Sequence, residues 1–164
     1  MRVAITGHTR GIGKALYTKV DNAIGFSLST GYNITHPQER SAILDGIADC
    51  DVFVNNAFDR YGQCEMLFDV WKLWKDTDKT IINIGSDVTK YTMSAKRLEM
   101  LDYYNYKIAL KNLHERLQNL NTNVNMHYVS FGYVATEKTI SMNIPERITI
   151  SVDDAVTQIV ELCK

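Results

Sequence analysis

The chain alternates short apolar runs with longer stretches in which apolar residues recur every three or four positions. Short apolar runs are typical of buried strands, and the longer periodicity is typical of helices that pack on one face. Their alternation predicts a parallel sheet covered by helices. The predicted strands cover residues 2–6, 25–29, 51–55, 80–84 and 124–130.

Five helices are predicted between and after these strands. They cover residues 11–22, 37–48, 64–75, 95–120 and 153–164. Pro37 falls in a first turn, where its missing N–H costs nothing, and Ser151 precedes the last helix as a capping residue. In the longest helix Tyr106 begins an apolar stripe, which predicts that this side chain belongs to the core. The predicted fold class is α/β, with a doubly wound parallel sheet in three layers and one domain over residues 1–164.

Three glycines separate the first predicted strand from the first predicted helix. Gly7, Gly11 and Gly13 follow the spacing G-x-x-x-G-x-G. Glycines allow a tight turn and let the backbone approach a pyrophosphate at a helix N-terminus. A plain tight turn is the alternative, but the position between a first strand and a helix favours a nucleotide site.

Further motifs follow in order along the chain. Residues 6–13 read Thr-Gly-His-Thr-Arg-Gly-Ile-Gly, residues 55–58 read Asn-Asn-Ala-Phe, and residues 81–86 end a strand on Ser86. Residues 103–107 satisfy Tyr-x-x-x-Lys, and residues 131–136 read Phe-Gly-Tyr-Val-Ala-Thr. Together they resemble the short-chain dehydrogenase/reductase family, whose Asn-Asn-Ala-Gly stretch follows the fourth strand and whose late loop reads Pro-Gly-x-x-x-Thr. Phe58 stands in place of that glycine and Phe131 in place of that proline.

The resemblance implies a Rossmann-like fold and a catalytic set of Ser86, Tyr103 and Lys107. Tyr103 would be the acid/base, Ser86 would orient the substrate oxygen, and Lys107 would also hold the nicotinamide ribose. A tyrosine has a reference pKa of about 10, and a nearby ammonium favours its phenolate. Residues four apart share one helix face, so the pair can act together, although this spacing alone is also that of an ordinary helix surface. Gln63 is the nearest counterpart of the family's catalytic asparagine.

The resemblance also implies a cofactor site, and the residues indicate NADP(H). The second predicted strand ends without the carboxylate that usually binds the ribose of NAD, and Arg10 in the glycine turn could bind a 2′-phosphate. The alternative for Arg10 is a solvated turn residue. The expected cofactor contacts are Gly7, Thr9, Arg10, Gly11, Ile12, Gly13, Ser29, Thr30, Asn33, Asn55, Asn56, Ala57, Tyr103, Lys107, Gly132, Val134 and Thr136.

Composition narrows the function classes. The chain has 164 residues, of which 45% are hydrophobic and 23% charged, with a formal net charge of −1. This balance argues against a strongly basic nucleic-acid surface and against a polybasic membrane signal. No apolar run approaches a membrane span, and the first residues do not form a signal peptide. Three scattered cysteines favour a reducing cytoplasm, and four scattered histidines give no metal-ligand spacing.

The length favours an unusually short, truncated member of the family. Only residues 137–147 lie between Thr136 and Ile148, where larger relatives carry helices that close over substrate. A second subunit could supply the missing walls, so a homo-oligomer (dimer or tetramer) is expected, with Trp71, Trp74 or the longest helix at the contact. The sequence therefore predicts an NADPH-dependent oxidoreductase that acts on a small carbonyl compound. The alternative is a non-catalytic NADP(H)-binding sensor or scaffold module, and a nucleotide-sugar enzyme is a weaker third option.

Overall fold

Five parallel strands form the central sheet in a computed structural model that describes residues 1–90 and 100–164. The strands are β1 (Val3–Thr6), β2 (Ile24–Phe26), β3 (Val52–Asn55), β4 (Thr80–Ser86) and β5 (Asn125–Phe131). Their order in the sheet is β2-β1-β3-β4-β5, and every neighbouring pair is parallel. The predicted doubly wound α/β sheet is confirmed.

Helices cover both faces of the sheet. They are α1 (Gly11–Lys19), α2 (Pro37–Gly46), α3 (Gly62–Trp74), α4 (Leu101–Gln118), α5 (Glu137–Ser141) and α6 (Val152–Glu161). Successive strand residues point to opposite faces, and each face has its own apolar core. On one face Phe53 packs with residues of α2, α3 and α4, and on the other Val54 packs with residues of α1 and α6. The arrangement therefore has three layers.

The strand order shows at which edge the sheet is smaller than a common dinucleotide-binding sheet. A dinucleotide-binding sheet commonly has the order 3-2-1-4-5-6. Here α2 leads from β2 directly to β3, which lies on the far side of β1, so β2 is the edge of the five-stranded sheet. The Asn-Asn-Ala segment follows the third strand of this chain, whereas the corresponding segment of the family follows a fourth. Among residues 1–90 and 100–164, the sheet thus has no strand beyond β2, where the common order has one more.

The second strand is shorter than the sequence pattern predicts. It ends at Phe26, and Leu28–Thr30 form a 3-10 turn. The backbone N–H of Ser27 donates to the Thr30 Oγ1 over 3.1 Å, and the side chain of Leu28 is 69% exposed. Ser27 and Thr30 cap each other in this turn, and the turn ends the pairing of β2 with β1. The pattern of this stretch therefore predicts a strand that is too long.

The longest helix is described from Leu101 to Gln118, and the predicted start at residues 95–99 lies outside the described residues. The short segment after Thr136 forms the five-residue helix α5. It also contributes β7 (Thr149–Ile150), which pairs with β6 (Tyr133–Val134) in a separate two-stranded sheet. Residues 133–150 therefore form regular structure of their own beyond the main sheet.

Two aromatic predictions need correction. Trp74 is 1% exposed and packs edge-on against Phe53 at 6.3 Å between ring centroids, so it belongs to the core and cannot form a subunit contact. Trp71 is half-buried and stacks on Phe68. Tyr106 is also half-buried rather than in the core, because its ring faces Tyr61 at 4.7 Å on the molecular surface.

Candidate functional site

The glycine turn between β1 and α1 is packed too tightly for side chains. A β-carbon at Gly13 would lie 2.2 Å from the Gly7 carbonyl oxygen, well inside contact distance. Gly7 itself has a φ of 74°, in the left-handed region that glycine tolerates. Asn56 fixes the turn from the end of β3, because its Nδ2 donates to the Thr6 carbonyl oxygen over 2.9 Å. The turn leads directly into α1, whose first-turn N–H groups have no partner within the helix and are suited to bind an anion.

A cleft of about 700 Å³ opens beside this turn. Of the residues expected from the sequence, those that line it are Gly7, Thr9, Arg10, Ser29, Asn33, Asn56 and Ala57. The sequence did not single out six further lining residues: Ser27, Leu28, Tyr32, Ile34, Phe58 and Asp59. Ser27 and Leu28 precede the two hydroxyl residues, Ser29 and Thr30, on which the sequence analysis focused, and Asp59 gave no signal in the sequence.

One wall of the cleft carries a cluster of hydroxyl groups. The Ser29 Oγ donates to the Thr9 Oγ1 over 3.1 Å, and the Ser27 and Ser29 hydroxyls lie 3.0 Å apart. Arg10 is exposed beside them and has no ion-pair partner within residues 1–90 and 100–164. The Thr30 Oγ1 instead donates to the Ser27 carbonyl oxygen, so its hydroxyl serves the turn rather than the cleft. This wall can bind a phosphate through a cation and hydroxyl donors.

Two of the expected cofactor residues outside the described lining, Thr136 and Asn55, differ in their position. Thr136 lies beside the glycine turn, because a β-carbon at Gly11 would be 3.4 Å from its Cγ2. Asn55, in contrast, is fully buried, and its Nδ2 donates to the Asn83 Oδ1 and to the Gln63 carbonyl oxygen, so its side chain does not reach the cleft.

Three more expected cofactor residues lie near the sheet end or inside the fold. Ile12, in α1, is partly buried against the core, Val134 is buried in β6, and Gly132 lies near Asp87 after the end of β5. None of these three lines the described cleft.

Ser86, Tyr103 and Lys107 converge at the carboxyl end of the sheet. Ser86 is the last residue of β4, and the other two lie in the first two turns of α4. Burial raises the pKa of Tyr103, and the nearby Ser86 hydroxyl opposes this rise. The Tyr103 phenol is therefore held in its protonated form at neutral pH, as a proton donor must be.

Lys107 is buried beneath this tyrosine. Its side chain is 4% exposed, and its Nζ donates to the Gln63 Oε1 over 2.9 Å and to the Ile84 carbonyl oxygen over 3.2 Å. Burial lowers the pKa of Lys107 to about 8. The Nζ lies 5.8 Å from the centroid of the Tyr103 ring, over its face. The ammonium thus lies close to the phenol but bonds to groups inside the fold.

Gln63 holds Lys107 as part of a buried chain of amides. The Gln63 Nε2 donates to the Asn55 and Ile84 carbonyl oxygens, over 2.7 and 3.0 Å. Beyond Asn55 the chain continues to Asn83, whose Nδ2 lies 3.2 Å from the His114 Nδ1. Gln63 therefore contacts Lys107 directly and joins it to the buried amides of Asn55 and Asn83.

Phe58 lies between the cleft and two of the expected catalytic residues, Tyr103 and Lys107. Its ring lies 5.0 Å from the Tyr103 ring and 6.1 Å from the Tyr106 ring, and the Lys107 Nζ lies 5.0 Å from its centroid. Phe58 lines the cleft, whereas the described lining includes neither Tyr103 nor Lys107. The sequence showed Phe58 only as a departure from the family pattern.

Two other kinds of site are not found in the described part of the chain. Among residues 1–90 and 100–164 no group of three or more His, Cys, Asp and Glu side chains could hold a metal ion. No helix in these ranges is both long enough and apolar enough to span a membrane.

Comparisons with known proteins give matches in structure only. No protein-family model matches the sequence, and no curated protein sequence matches it. A short-chain dehydrogenase from Burkholderia cenocepacia J2315, solved with NADP, is 18% identical with a TM-score of 0.76, over 95% of this chain and 81% of that one. The 3-alpha-hydroxysteroid dehydrogenase from Pseudomonas sp. B-0831, solved with NADH, is 16% identical with a TM-score of 0.79, over 100% and 90%.

Serine dehydrogenase from Escherichia coli is also similar, at 16% identity and a TM-score of 0.71, over 100% of this chain and 91% of that one. The likeness at this identity concerns the fold, and it extends over nearly the whole chain. The protein has the Rossmann-like fold of the short-chain dehydrogenases.

Proposed function

We propose that the protein is a short-chain dehydrogenase/reductase that uses NADP(H) to reduce a small carbonyl compound or to oxidise the corresponding alcohol. The observation that carries the proposal is the convergence of Ser86, Tyr103 and Lys107 at the carboxyl end of β4, next to a glycine turn that borders a cleft. Ligands of open α/β sheets bind at this end.

The cleft suits the adenosine and phosphate half of the cofactor. Gly13 allows this turn to pack against the Gly7 carbonyl oxygen, and α1 begins at the turn, so a pyrophosphate would bind at the N-terminus of α1. Arg10, Ser27 and Ser29 offer a cation and hydroxyl donors where a 2′-phosphate would lie, and neither β2 nor its following turn contains a carboxylate. These features support NADP(H) over NAD(H).

Each catalytic residue has a chemical task in the proposal. NADPH, when bound, supplies the hydride. Ser86 donates a hydrogen bond to the carbonyl oxygen, and Tyr103 transfers its proton to that oxygen as negative charge develops. The charge of Lys107 beneath the ring stabilises the phenolate that remains. With a pKa of about 8, Lys107 carries this charge at neutral pH.

A non-catalytic NADP(H) sensor or scaffold is the second candidate function. It is favoured by Phe58, which covers Lys107 and stands between the cleft and Tyr103. A sensor needs only the cleft and not the three catalytic residues.

The proposal also includes a homo-oligomer in the cytoplasm. The free cysteines support the cytoplasmic location. Exposed apolar side chains on α3, such as Phe68 and Leu73, support the homo-oligomer.

The test of the reaction is NADPH oxidation against a panel of aldehydes, ketones, quinones and pterins. Tyr103→Phe removes the proton donor, and we expect the rate to fall by about 10²–10⁴-fold. Tyr104→Phe, which removes a hydroxyl from the neighbouring tyrosine, is the matched control and keeps the wild-type rate. NADPH binding without any turnover that depends on Tyr103 would favour the sensor over the enzyme.

A further inference from the structure

We propose, on the basis of the function proposed above, that Phe58 is a gate: its ring closes the nicotinamide end of the cofactor cleft and must swing off Lys107 before a whole dinucleotide can bind. The gate would control access to the catalytic residues within the same site. A ligand that contains only the adenosine and phosphate half would bind without moving it.

The hydrogen bonds of Lys107 give the first argument. An ammonium has three N–H donors. Two are taken by the Gln63 Oε1 and the Ile84 carbonyl oxygen, and the Nζ also faces the Phe58 ring at 5.0 Å from its centroid. A cation over an aromatic face is attracted to it, so the ring stands where a ribose hydroxyl would approach the remaining donor. Phe58 and a ribose therefore compete for Lys107.

The position of the ring in the cleft gives the second argument. Phe58 lines the cleft together with Ala57 and Asp59, beside the glycine turn. On its other side it contacts the Tyr103 ring edge-on, at 5.0 Å and an interplanar angle of 77°. The ring thus lies between the part of the cleft proposed to bind the phosphates and Tyr103, the residue proposed to transfer a proton.

The surroundings of Phe58 allow it to move. Its side chain is 41% exposed, unlike the side chains of the core. Its described ring partners, Tyr103 and Tyr106, are half-buried, so turning it outward opens no cavity in the core. In the family pattern that this segment resembles, the position is glycine, which has no side chain to place there. The gate is therefore a feature of this chain.

A closed gate lowers the apparent affinity for a ligand that needs it open, in proportion to the fraction of open molecules. Removal of the ring should thus tighten NADPH binding by about tenfold if the gate is open about a tenth of the time. The affinity for 2′,5′-ADP, which lacks the nicotinamide half, should not change. The ratio of the dissociation constants for NADPH and 2′,5′-ADP therefore changes if the gate changes, and stays the same if a variant alters the binding of both ligands equally.

The experiment is calorimetric titration of the full chain with 2′,5′-ADP and with NADPH. The variants are Phe58→Ala, which removes the ring, and Phe58→Leu, which keeps apolar bulk but offers no aromatic face to Lys107. Tyr61→Ala is the matched control, because it removes an exposed neighbouring aromatic side chain for which no contact with Lys107 is described. We expect tighter NADPH binding by Phe58→Ala, an intermediate gain by Phe58→Leu, no gain by Tyr61→Ala, and unchanged 2′,5′-ADP binding throughout.

The outcomes separate the gate from the cofactor assignment. If 2′,5′-ADP binds but neither Phe58 variant improves NADPH binding, the gate is wrong and the cofactor assignment stands. An equal gain for both ligands also overturns the gate. If the wild type binds neither ligand, the NADP(H) proposal fails and the gate fails with it. Should Phe58→Ala not fold, as judged by circular dichroism, the comparison of Phe58→Leu with wild type decides.

Discussion

Because Lys107 is buried, the free energy of unfolding should change with pH in the alkaline range. The pKa of Lys107 is lowered by burial from 10.5 to about 8 in the folded protein. Between these values the unfolded chain binds the proton and the folded protein does not, so the free energy of unfolding rises with pH. The burial cost is present below pH 8 and is relieved as the pH rises towards 10.5. At about 1.4 kcal/mol per pH unit, the full shift corresponds to roughly 3 kcal/mol.

Lys107→Met provides the reference, because methionine fills the same space and does not titrate. We expect the difference in unfolding free energy between wild type and Lys107→Met to rise by about 2 kcal/mol in favour of wild type from pH 8 to pH 10. Between pH 7 and pH 8 it should change by less than about 0.5 kcal/mol. Urea denaturation at each pH measures both proteins, and titrating cysteines and tyrosines cancel in the difference. A difference that stays constant from pH 7 to pH 10 would refute the burial of a charged Lys107.

Three further predictions concern other parts of the fold. Gly13→Ala places a β-carbon 2.2 Å from a backbone carbonyl oxygen, so it should cost about 1–3 kcal/mol in urea denaturation and remove nucleotide binding in a titration. Arg40→Ala leaves the carboxylates of Glu65 and Asp69 without their shared partner, which should lower the free energy of unfolding by about 1–3 kcal/mol, measured in the same way. Burial lowers the pKa of His114 in the folded protein. Below pH 6.5 the unfolded chain therefore binds more protons than the folded protein, and the free energy of unfolding falls as the pH falls. His114→Gln should reduce this loss of stability in thermal unfolding from pH 7 to pH 5.

Much of the fold follows from local signals in the sequence. The strand β3 and the helix α2 are continuous apolar or periodic segments, and each ends close to where the pattern ends. The prediction fails where a side chain competes with the backbone. Ser27 and Thr30 bond to each other and end β2 early, and a hydrophobicity pattern does not contain that information.

The candidate site was predictable as a set of motifs but not as a geometry. Ser86, Tyr103 and Lys107 were identified by their spacing and by the resemblance, and the fold brings them together. The hydrogen bonds of Lys107 to Gln63 and to a strand carbonyl depend on how α3 and α4 pack on the sheet, which one sequence does not reveal. The orientation of Phe58 has the same origin. Long-range packing therefore decides which predicted residues face the cleft.

The assignment of the cleft to NADP(H) is the central claim, and calorimetric titration with NADPH and NADH tests it most directly. The proteins to compare are wild type, Arg10→Ala, and Lys14→Ala as a control that removes an exposed cation outside the described cleft lining. We predict that wild type prefers NADPH, that Arg10→Ala weakens NADPH binding much more than NADH binding, and that Lys14→Ala changes neither preference. Equal losses for both cofactors in Arg10→Ala would contradict the assignment.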